Sequence, residues 1–242
     1  NTTLHWAARE AGSWTTLSRV AARGRGLEER LEEALRQCSP APAEAGRCVV
    51  ASVRPSLEPV LRRCWKQAGG RADVEFFERD VEIPLETDVR CRRRVGVDRL
   101  LCALGALRHA GSPSVVVSAG SAIVVDAVDS SCAFVGGAIA PGFRLSARSL
   151  ARDTECLMEV EPGHPQAPIG SNTGDAVRSG VFWMCRGGAA ELVRRLAAEL
   201  GGDVPVVVTG GDADLLLPLP GIDRAEHVPD LLFRGITTAL SL

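Results

Sequence analysis

The sequence predicts an α/β fold in two halves. Apolar, β-branched segments of strand length alternate with segments of helical periodicity up to about residue 110, and strands followed by helices then begin again. The chain has 242 residues, which is enough for two small domains with sizeable cores. We therefore expect one domain over residues 1–110 and a second over residues 111–242.

The first half combines three strands with three helices. Its first helix places Leu27, Leu31 and Leu35 at helical spacing between charged residues. Ser56 is expected to cap the second helix, because its hydroxyl can accept a hydrogen bond from a first-turn N–H. The predicted strands are 4–8, 48–53 and 73–77, with a turn near Gly12, and the predicted helices are 26–37, 56–67 and 95–109.

The second half begins with three strands and continues with helices and one further strand. A turn at Ala119 and Gly120 separates the first two strands, and Asn172 is expected to cap the longest helix. The predicted strands are 114–117, 121–128, 132–135 and 204–208, with a loop over 136–142, and the predicted helices are 144–156, 173–200, a short one after 211, and 229–240.

Composition and charge argue against several classes of protein. The net charge of −2 gives no general attraction to nucleic acid or to anionic membranes. Apolar residues make up 45% of the chain, but no apolar run reaches the roughly 18 residues of a membrane span, and no signal peptide is visible. We therefore expect a soluble, cytoplasmic protein that binds neither nucleic acid nor membrane.

The eight cysteines and four histidines form no metal-binding pattern. The cysteines are spread singly, without a CxxC or a Cys/His ligand spacing. Several, among them Cys48, Cys102 and Cys132, lie in apolar segments, where a thiol acts as a small core residue. Reduced, buried thiols are therefore expected.

A carboxylate stands beside an arginine where a loop enters the last helix of the first half. Asp98 could cap that helix, or it could act as a base toward an acceptor hydroxyl. Arg99 could be solvated or ion-paired, or its planar fork could bind a substrate carboxylate. The basic segment 90–94 favours a solvated loop that could assist an anionic substrate. The local sequence leaves these alternatives open.

Three glycine segments follow apolar strands. Gly120 and Ser121 form either a tight hairpin turn or a backbone nest for phosphate oxygens. Residues 209–211 either join a strand to a helix or direct N–H groups at a nucleotide. Residues 136–142 favour close approach of the backbone to a ligand or a partner chain. Together the segments favour phosphoryl transfer, which needs bound phosphates, neutralised charge and an aligned acceptor hydroxyl.

In this order, the segments resemble the motifs of type III pantothenate kinases, a bacterial family that performs the first step of coenzyme A synthesis. Residues 96–99 are similar to the GxDR motif, residues 118–122 to the DxGTA motif, and residues 136–142 match GGxIxPG at every position. Residues 169–173 and 209–211 are similar to the later motifs, so the resemblance covers nearly the whole chain. It implies two ribonuclease-H-like domains of the actin-like ATPase type, with a nucleotide cleft between them.

The resemblance also implies roles for individual residues. Asp98 would be the catalytic base that takes the proton of the pantothenate hydroxyl. The implied pantothenate-binding residues are Gly96, Val97, Asp98, Arg99 and Thr173. The implied nucleotide-binding residues are Asn1, Thr2, Thr3, Gly120, Ser121, Thr209, Gly210 and Gly211. ATP with Mg²⁺, a monovalent cation (K⁺ or NH₄⁺) and a homodimer that completes the pantothenate pocket are implied as well.

Three positions depart from the family pattern. Only Asn1 and Thr2 match the DxGNT phosphate loop, which we attribute to a truncated first strand. Ser118 replaces the aspartate that binds the monovalent cation, and a neutral hydroxyl is a poorer ligand for a hard cation than a carboxylate. Ser121 replaces a threonine and keeps its hydroxyl.

The leading hypothesis is an ATP-dependent kinase that converts pantothenate to 4′-phosphopantothenate. The alternative is a catalytically impaired nucleotide-binding relative with a regulatory role, similar to the Bvg accessory factors. The unmatched first aspartate and Ser118 motivate that alternative. A third hypothesis is another small-molecule or sugar kinase of the acetate kinase, Hsp70 and actin superfamily.

Overall fold

The chain divides into two compact units. The structure is a computed structural model that describes residues 3–10, 13–21, 25–38 and 41–241. The first unit comprises Asn1–Ile83 and Arg93–Asp98, and the second comprises Pro84–Arg92 and Arg99–Leu242. This division falls earlier along the chain than the boundary near residue 110 that the sequence predicts.

Helix α3 (Val97–Ala110) accounts for the earlier division. Its residues Cys102 and Ala106 are buried in one cluster with Val116 and Val207 of the second unit. Because most of this helix contributes to the core of the second unit, it belongs to that unit although it precedes the predicted boundary.

The first unit contains two small sheets and two helices. Strands β1 (Thr3–Glu10) and β2 (Ser13–Ala21) pair antiparallel, strands β3 (Cys48–Val50) and β4 (Val74–Phe76) pair parallel, and the helices are α1 (Leu27–Arg36) and α2 (Glu58–Gln67). All predicted elements of this part are confirmed, with shorter strands than expected at β3 and β4. Strand β2 was not predicted, and the turn expected near Gly12 lies outside the described residues.

One apolar core joins the helices and the parallel strands of this unit. Leu31 and Leu35 are buried on α1, as their helical spacing predicts. They belong to one cluster with Leu61 and Trp65 of α2 and Phe76 of β4. The apolar helix faces therefore cover the parallel pair.

Ser56 does not cap α2, contrary to the prediction. Residues Pro55–Leu57 form a 3₁₀ turn that runs directly into the helix, and no side chain caps it. Pro55 has a fixed φ close to helical values, so the chain enters helical geometry before Ser56. The serine therefore lies inside the turn and not ahead of the helix.

A mixed sheet of five strands forms the centre of the second unit. The strands are β5 (Ser114–Ala119), β6 (Ala122–Val128), β7 (Phe134–Pro141), β8 (Val206–Thr209) and β9 (Ala225–His227). Their order is β7-β6-β5-β8-β9. Strand β6 runs antiparallel to β5 and β7, whereas β8 runs parallel to β5 and β9.

Helices cover both faces of this sheet. They are α3 and four others: α4 (Phe143–Asp153), α5 (Thr173–Glu199), α6 (Ala213–Leu216) and α7 (Leu231–Leu240). Val115 and Val117 pack in the core with α5, and Val116 packs on the other face with α3 and α7. No helix within the described ranges is long and apolar enough to cross a membrane.

The segment expected to be a loop, residues 136–142, forms strand β7 as far as Pro141. Its residues pair with β6 over Ala122 to Val128. Glycine has a low strand propensity, so the local sequence hides a strand that the pairing with β6 stabilises. Strand β9 was also not predicted, because three partly exposed residues carry no alternating pattern.

Cys132 is exposed, although the sequence placed it in an apolar strand. It occupies a turn before β7 with a φ of 67°. The Asp129 carboxylate holds this turn by accepting hydrogen bonds from the N–H groups of Ser131 and Ala133, both at 2.9 Å. No disulfide forms within the described ranges, which contain all eight cysteines.

Candidate active site

Three loops of the second unit meet at the carboxyl end of β5. The turn between β5 and β6 lies so close to Gly142 that a Cβ there would overlap the carbonyl oxygen of Gly120. Gly210 approaches from β8, and a Cβ there would overlap the carbonyl oxygen of Ala119. The N–H of Gly142 donates to the Ser121 carbonyl at 3.2 Å. The structure therefore brings together the three glycine segments that the sequence singles out.

Part of the hydrogen-bonding capacity of these loops serves the fold itself. The Gly120 N–H donates to the Ala122 carbonyl at 3.0 Å, as expected for a tight hairpin turn. The Asp212 N–H donates to the Ala119 carbonyl at 3.2 Å. Ser121, Gly210 and Gly211 are exposed at the same end of the sheet. A bound phosphate could reach these three positions from solvent.

Ser118 lies beside a second hydroxyl at this end of the sheet. It is opposite Thr209 in the parallel register of β5 and β8, and residues in register share a sheet face. Thr209 is 5% exposed, and Ser118 is half-buried. Within the part of the chain that the structure describes, no group of three or more His, Cys, Asp or Glu residues could hold a metal ion. A cation at Ser118 would meet these neutral oxygens.

Asp98 lies in the first turn of α3, and Gly96 makes room for its side chain. A Cβ on Gly96 would lie 2.5 Å from Oδ1 of Asp98 and 3.3 Å from Cγ1 of Val53. The carboxylate is therefore folded back over the loop, which explains why glycine stands two residues before it. Asp98 is the second residue of α3, so it does not stand ahead of the helix at the cap position that the sequence offers as an alternative. An aspartate in the first turn still interacts favourably with the helix dipole.

Arg99 forms an ion pair with Asp126 of β6. Nε of Arg99 donates to Oδ1 and Oδ2 of Asp126 at 3.1 and 3.2 Å, and Nη2 also donates to Oδ1. The side chain of Asp126 is 2% exposed and that of Arg99 is 18% exposed. In the structure, Arg99 is therefore ion-paired and not a solvated side chain. Sequence analysis missed Asp126, although a carboxylate inside the apolar run 122–128 is a recognisable signal.

The glycine pair at the start of the GGxIxPG segment shapes the surroundings of this ion pair. A Cβ on Gly137 would lie 2.6 Å from Oδ1 of Asp126 and would overlap the Val125 carbonyl. Gly136 has a φ of 104°, which residues with a side chain rarely adopt. The guanidinium carbon of Arg99 lies 5.4 Å from the centre of the buried Phe134 ring.

The segment before the GxDR motif is attached to the start of β7. The Phe134 N–H donates to the Glu86 carbonyl at 2.8 Å, and the Asp88 N–H donates to the Phe134 carbonyl at 3.0 Å. The Arg92 side chain donates to the Leu85 carbonyl. Part of the basic segment 90–94 is therefore anchored, while Arg90 is exposed.

Thr173 is the exposed first residue of α5. Asn172 caps this helix as predicted, since its Oδ1 accepts a hydrogen bond from the Asp175 N–H at 3.0 Å. A Cβ on Gly170 would overlap the N–H of Ala176, so the preceding turn packs tightly on the helix. Asn1 and Thr2 lie outside the described residues, and Thr3 begins β1.

Asp212 adds a perturbed carboxylate beside the glycine loops, which the sequence analysis did not identify. Burial raises the pKa of Asp212, and the positive charge of Arg144 acts in the opposite direction. The sequence does contain a signal for Asp212, because this carboxylate directly follows the glycine turn 209–211. A positively charged group or ion nearby would favour its ionised form.

The fold and the site together define an α/β protein whose candidate ligand loops follow the strand ends of a mixed sheet. The chain belongs to the type III pantothenate kinase family, since the model of that family matches residues 1–195. It is 35% identical to the type III pantothenate kinase of Akkermansia muciniphila over 215 residues, which cover 88% of this chain and 84% of that protein. It is 34% identical to the enzyme of the same name from Rhodococcus opacus, with 77% and 69% covered.

A solved structure supports the fold. The chain aligns with a conserved putative Baf family transcriptional activator from Campylobacter jejuni with a TM-score of 0.53. The alignment covers 82% of this chain and 83% of that chain at 22% identity. At this identity the likeness shows a shared α/β fold alone.

Proposed function

We propose that this chain phosphorylates pantothenate to 4′-phosphopantothenate with ATP, the first step of coenzyme A biosynthesis. The observation that carries the proposal is the intact Gly96, Asp98 and Arg99 segment of a family member, in which Gly96 makes room for the Asp98 carboxylate. A kinase of this type needs little covalent chemistry from the protein, because positioning and charge stabilisation supply most of the rate.

In the proposed mechanism, Asp98 accepts the proton of the pantothenate 4′-hydroxyl as the oxygen attacks the γ-phosphorus of MgATP, the bond from that phosphorus to the β–γ bridging oxygen breaks, and ADP leaves. Arg99 binds the pantothenate carboxylate, and Gly96, Val97 and Thr173 complete that subsite. Thr3, Ser121 and the loops around Gly120 and Gly210 bind the nucleotide. The second nucleotide-binding segment includes Thr209 and Gly211. These assignments follow the family motifs, and the nucleotide is proposed to bind in a cleft of the actin-like ATPase type.

A monovalent cation, K⁺ or NH₄⁺, is part of the proposal, with Ser118 at the corresponding position. The Ser118 and Thr209 hydroxyls lie in register and supply neutral oxygens, which balance a cation's charge less well than a carboxylate does. We therefore expect weak activation by K⁺. Activity measured across a KCl series, with choline chloride to hold ionic strength constant, tests this expectation. Tight, saturable activation by K⁺ would contradict it.

We also propose that the chain acts in the cytoplasm as a homodimer. Leu145 of α4 and Trp183 and Met184 of α5 are exposed apolar side chains of the second unit, and Ile139, Met158 and Ile169 are exposed as well. Trp183 and Met184 are neighbours on α5, whose buried side packs in one cluster with α4, and contiguous exposed apolar residues are typical of an interaction surface.

The test of the function is direct. The purified chain is incubated with MgATP and pantothenate, and 4′-phosphopantothenate is measured by mass spectrometry. Formation of the product in proportion to enzyme and time supports the proposal. Absence of product with and without K⁺ or NH₄⁺ would overturn it.

One observation favours a second candidate function, a nucleotide-binding regulatory relative without turnover. Ser118 provides no charge where the family has an aspartate. Calorimetry with ATP and with pantothenate separates the two candidates when read together with turnover. Ligand binding without product formation favours the regulatory role, and product formation removes its basis.

A further inference from the structure

The ion pair between Arg99 and Asp126 has an unusual position for a structural salt bridge. Asp126 lies in the middle of strand β6 with only 2% of its side chain exposed, and Arg99 reaches it from the first turn of α3. Taking a carboxylate out of water is costly, and a buried ion pair often stabilises a fold no better than apolar residues of the same size. Stability alone therefore gives a weak reason for a charge at this position.

The fold makes specific room for this pair. The carboxylate occupies space that a side chain at position 137 would fill, since a Cβ there would lie 2.6 Å from Oδ1 of Asp126. Two oxygens of Asp126 accept hydrogen bonds from Nε of Arg99, and Nη2 donates as well, so one edge of the guanidinium is fixed in its plane. The Phe134 ring lies against the same group. Arg99 is therefore held in one orientation from two sides.

The outcome is a guanidinium that is fixed along one edge but keeps 18% of its side chain exposed, directly after Asp98 in sequence. An arginine that binds a carboxylate must present its fork in a defined direction, because both hydrogen bonds depend on the orientation of the plane. The buried carboxylate of Asp126 fixes the direction of the Arg99 guanidinium and also balances its positive charge before the substrate arrives.

We propose that Asp126 is a positioning residue, which orients Arg99 toward the carboxylate of the acceptor substrate. This inference rests on the proposed function, in which that acceptor is pantothenate. Asp126 itself does not touch the substrate. It acts through Arg99, so its effect is confined to acceptors that carry a carboxylate.

The test compares two acceptors in the full chain. Pantothenate carries the carboxylate, whereas pantothenol has a hydroxymethyl group in its place and keeps the 4′-hydroxyl. Asp126→Asn is expected to raise KM for pantothenate roughly 10- to 100-fold, the range for loss of a charge-assisted hydrogen bond, while KM for ATP and kcat/KM for pantothenol stay within about twofold. Glu75→Gln is the matched control, because Glu75 also forms a bidentate pair with an arginine, Arg47, in the other unit. It should leave both acceptors unchanged.

A second variant keeps the test valid if Asp126→Asn folds poorly. Arg99→Lys leaves a positive charge for Asp126 but removes the planar fork, and it should show the same selective loss with pantothenate. The double variant should be no more selective than either single variant, because both changes remove one interaction.

The possible results separate the inference from the function beneath it. If the unmodified chain phosphorylates neither acceptor, the proposed function fails. If it phosphorylates both and Asp126→Asn impairs them equally, the function stands and the positioning role is overturned. A loss confined to pantothenate supports the positioning role.

Discussion

At the residue scale, the chemistry depends on the Asp98 carboxylate. Asp98→Asn keeps the size of the side chain that Gly96 accommodates, but it replaces the basic carboxylate by a neutral amide that cannot accept the hydroxyl proton. A positioned general base contributes about 10²- to 10⁴-fold to a rate, so we expect kcat to fall by about that factor while KM for ATP changes little. Initial rates of 4′-phosphopantothenate formation measure both quantities.

The matched control for this change is Asp153→Asn. Asp153 is an exposed carboxylate that pairs with the adjacent Arg152 at the end of α4, outside the candidate site. It should leave kcat unchanged. If Asp98→Asn retained most of its kcat, Asp98 would be a structural first-turn residue and the base would have to be sought elsewhere.

Gly137 gives a residue-scale prediction about stability. Gly137→Ala would push a methyl group against the Val125 carbonyl and the Asp126 carboxylate, so we expect a loss of about 1–3 kcal/mol in the free energy of unfolding. Gly188→Ala is the opposite case, because a Cβ there has no atom within 4 Å and the residue lies inside α5. That change should stabilise the protein by about 0.5–1 kcal/mol. Urea titrations followed by circular dichroism compare the two variants with the unmodified chain. A Gly137→Ala variant as stable as the unmodified chain would contradict the close packing at Gly137.

The sequence predicted the residues of the candidate site that stand out locally, but not the partner of Arg99. Asp98, Arg99 and the glycine segments are visible because their residue types are unusual where they stand. The partner of Arg99 is not visible, since the pair between positions 99 and 126 exists only after β6 pairs with its neighbours and α3 packs on the sheet. Because this pairing depends on tertiary structure, the sequence indicates it only indirectly, through the Asp126 carboxylate in the apolar segment 122–128.

At the scale of elements, the long helix α5 begins at a defined cap. The Asn172 side chain satisfies the Asp175 N–H and also donates from Nδ2 to the Asp175 carboxylate at 2.7 Å. Asn172→Ala should cost about 1 kcal/mol of unfolding free energy, and Asn172→Ser, which can still cap, should cost less. Thermal melts of the three proteins test this order. Identical melting temperatures would mean that the cap contributes nothing measurable.

The elements that the sequence predicted well are those whose own pattern is strong. Helix α1 carries clear periodicity, strands β5 and β6 carry long β-branched runs, and helix α5 begins after the cap residue Asn172. The predicted positions of these four elements agree with the structure to within a few residues. Strand β7 was misassigned in part because its glycines weaken the local signal, while the hydrogen bonds that form it come from β6. Pairing with β6 therefore determines that this segment is a strand, which its local propensity does not predict.

At the scale of the whole molecule, the exposed apolar side chains of the second unit predict self-association. Trp183 and Met184 on α5 are 45% and 55% exposed, and Leu145 on α4 is 49% exposed. A charge placed among them would have to be buried without a partner in a dimer interface, which is costly. Trp183→Glu should therefore convert a dimer to a monomer in light scattering coupled to size-exclusion chromatography. Glu199→Lys, at the far end of α5, is the control and should leave the mass unchanged. If the unmodified chain is monomeric at every concentration tested, the homodimer proposal is wrong, and a pantothenate pocket that spans two subunits is wrong with it.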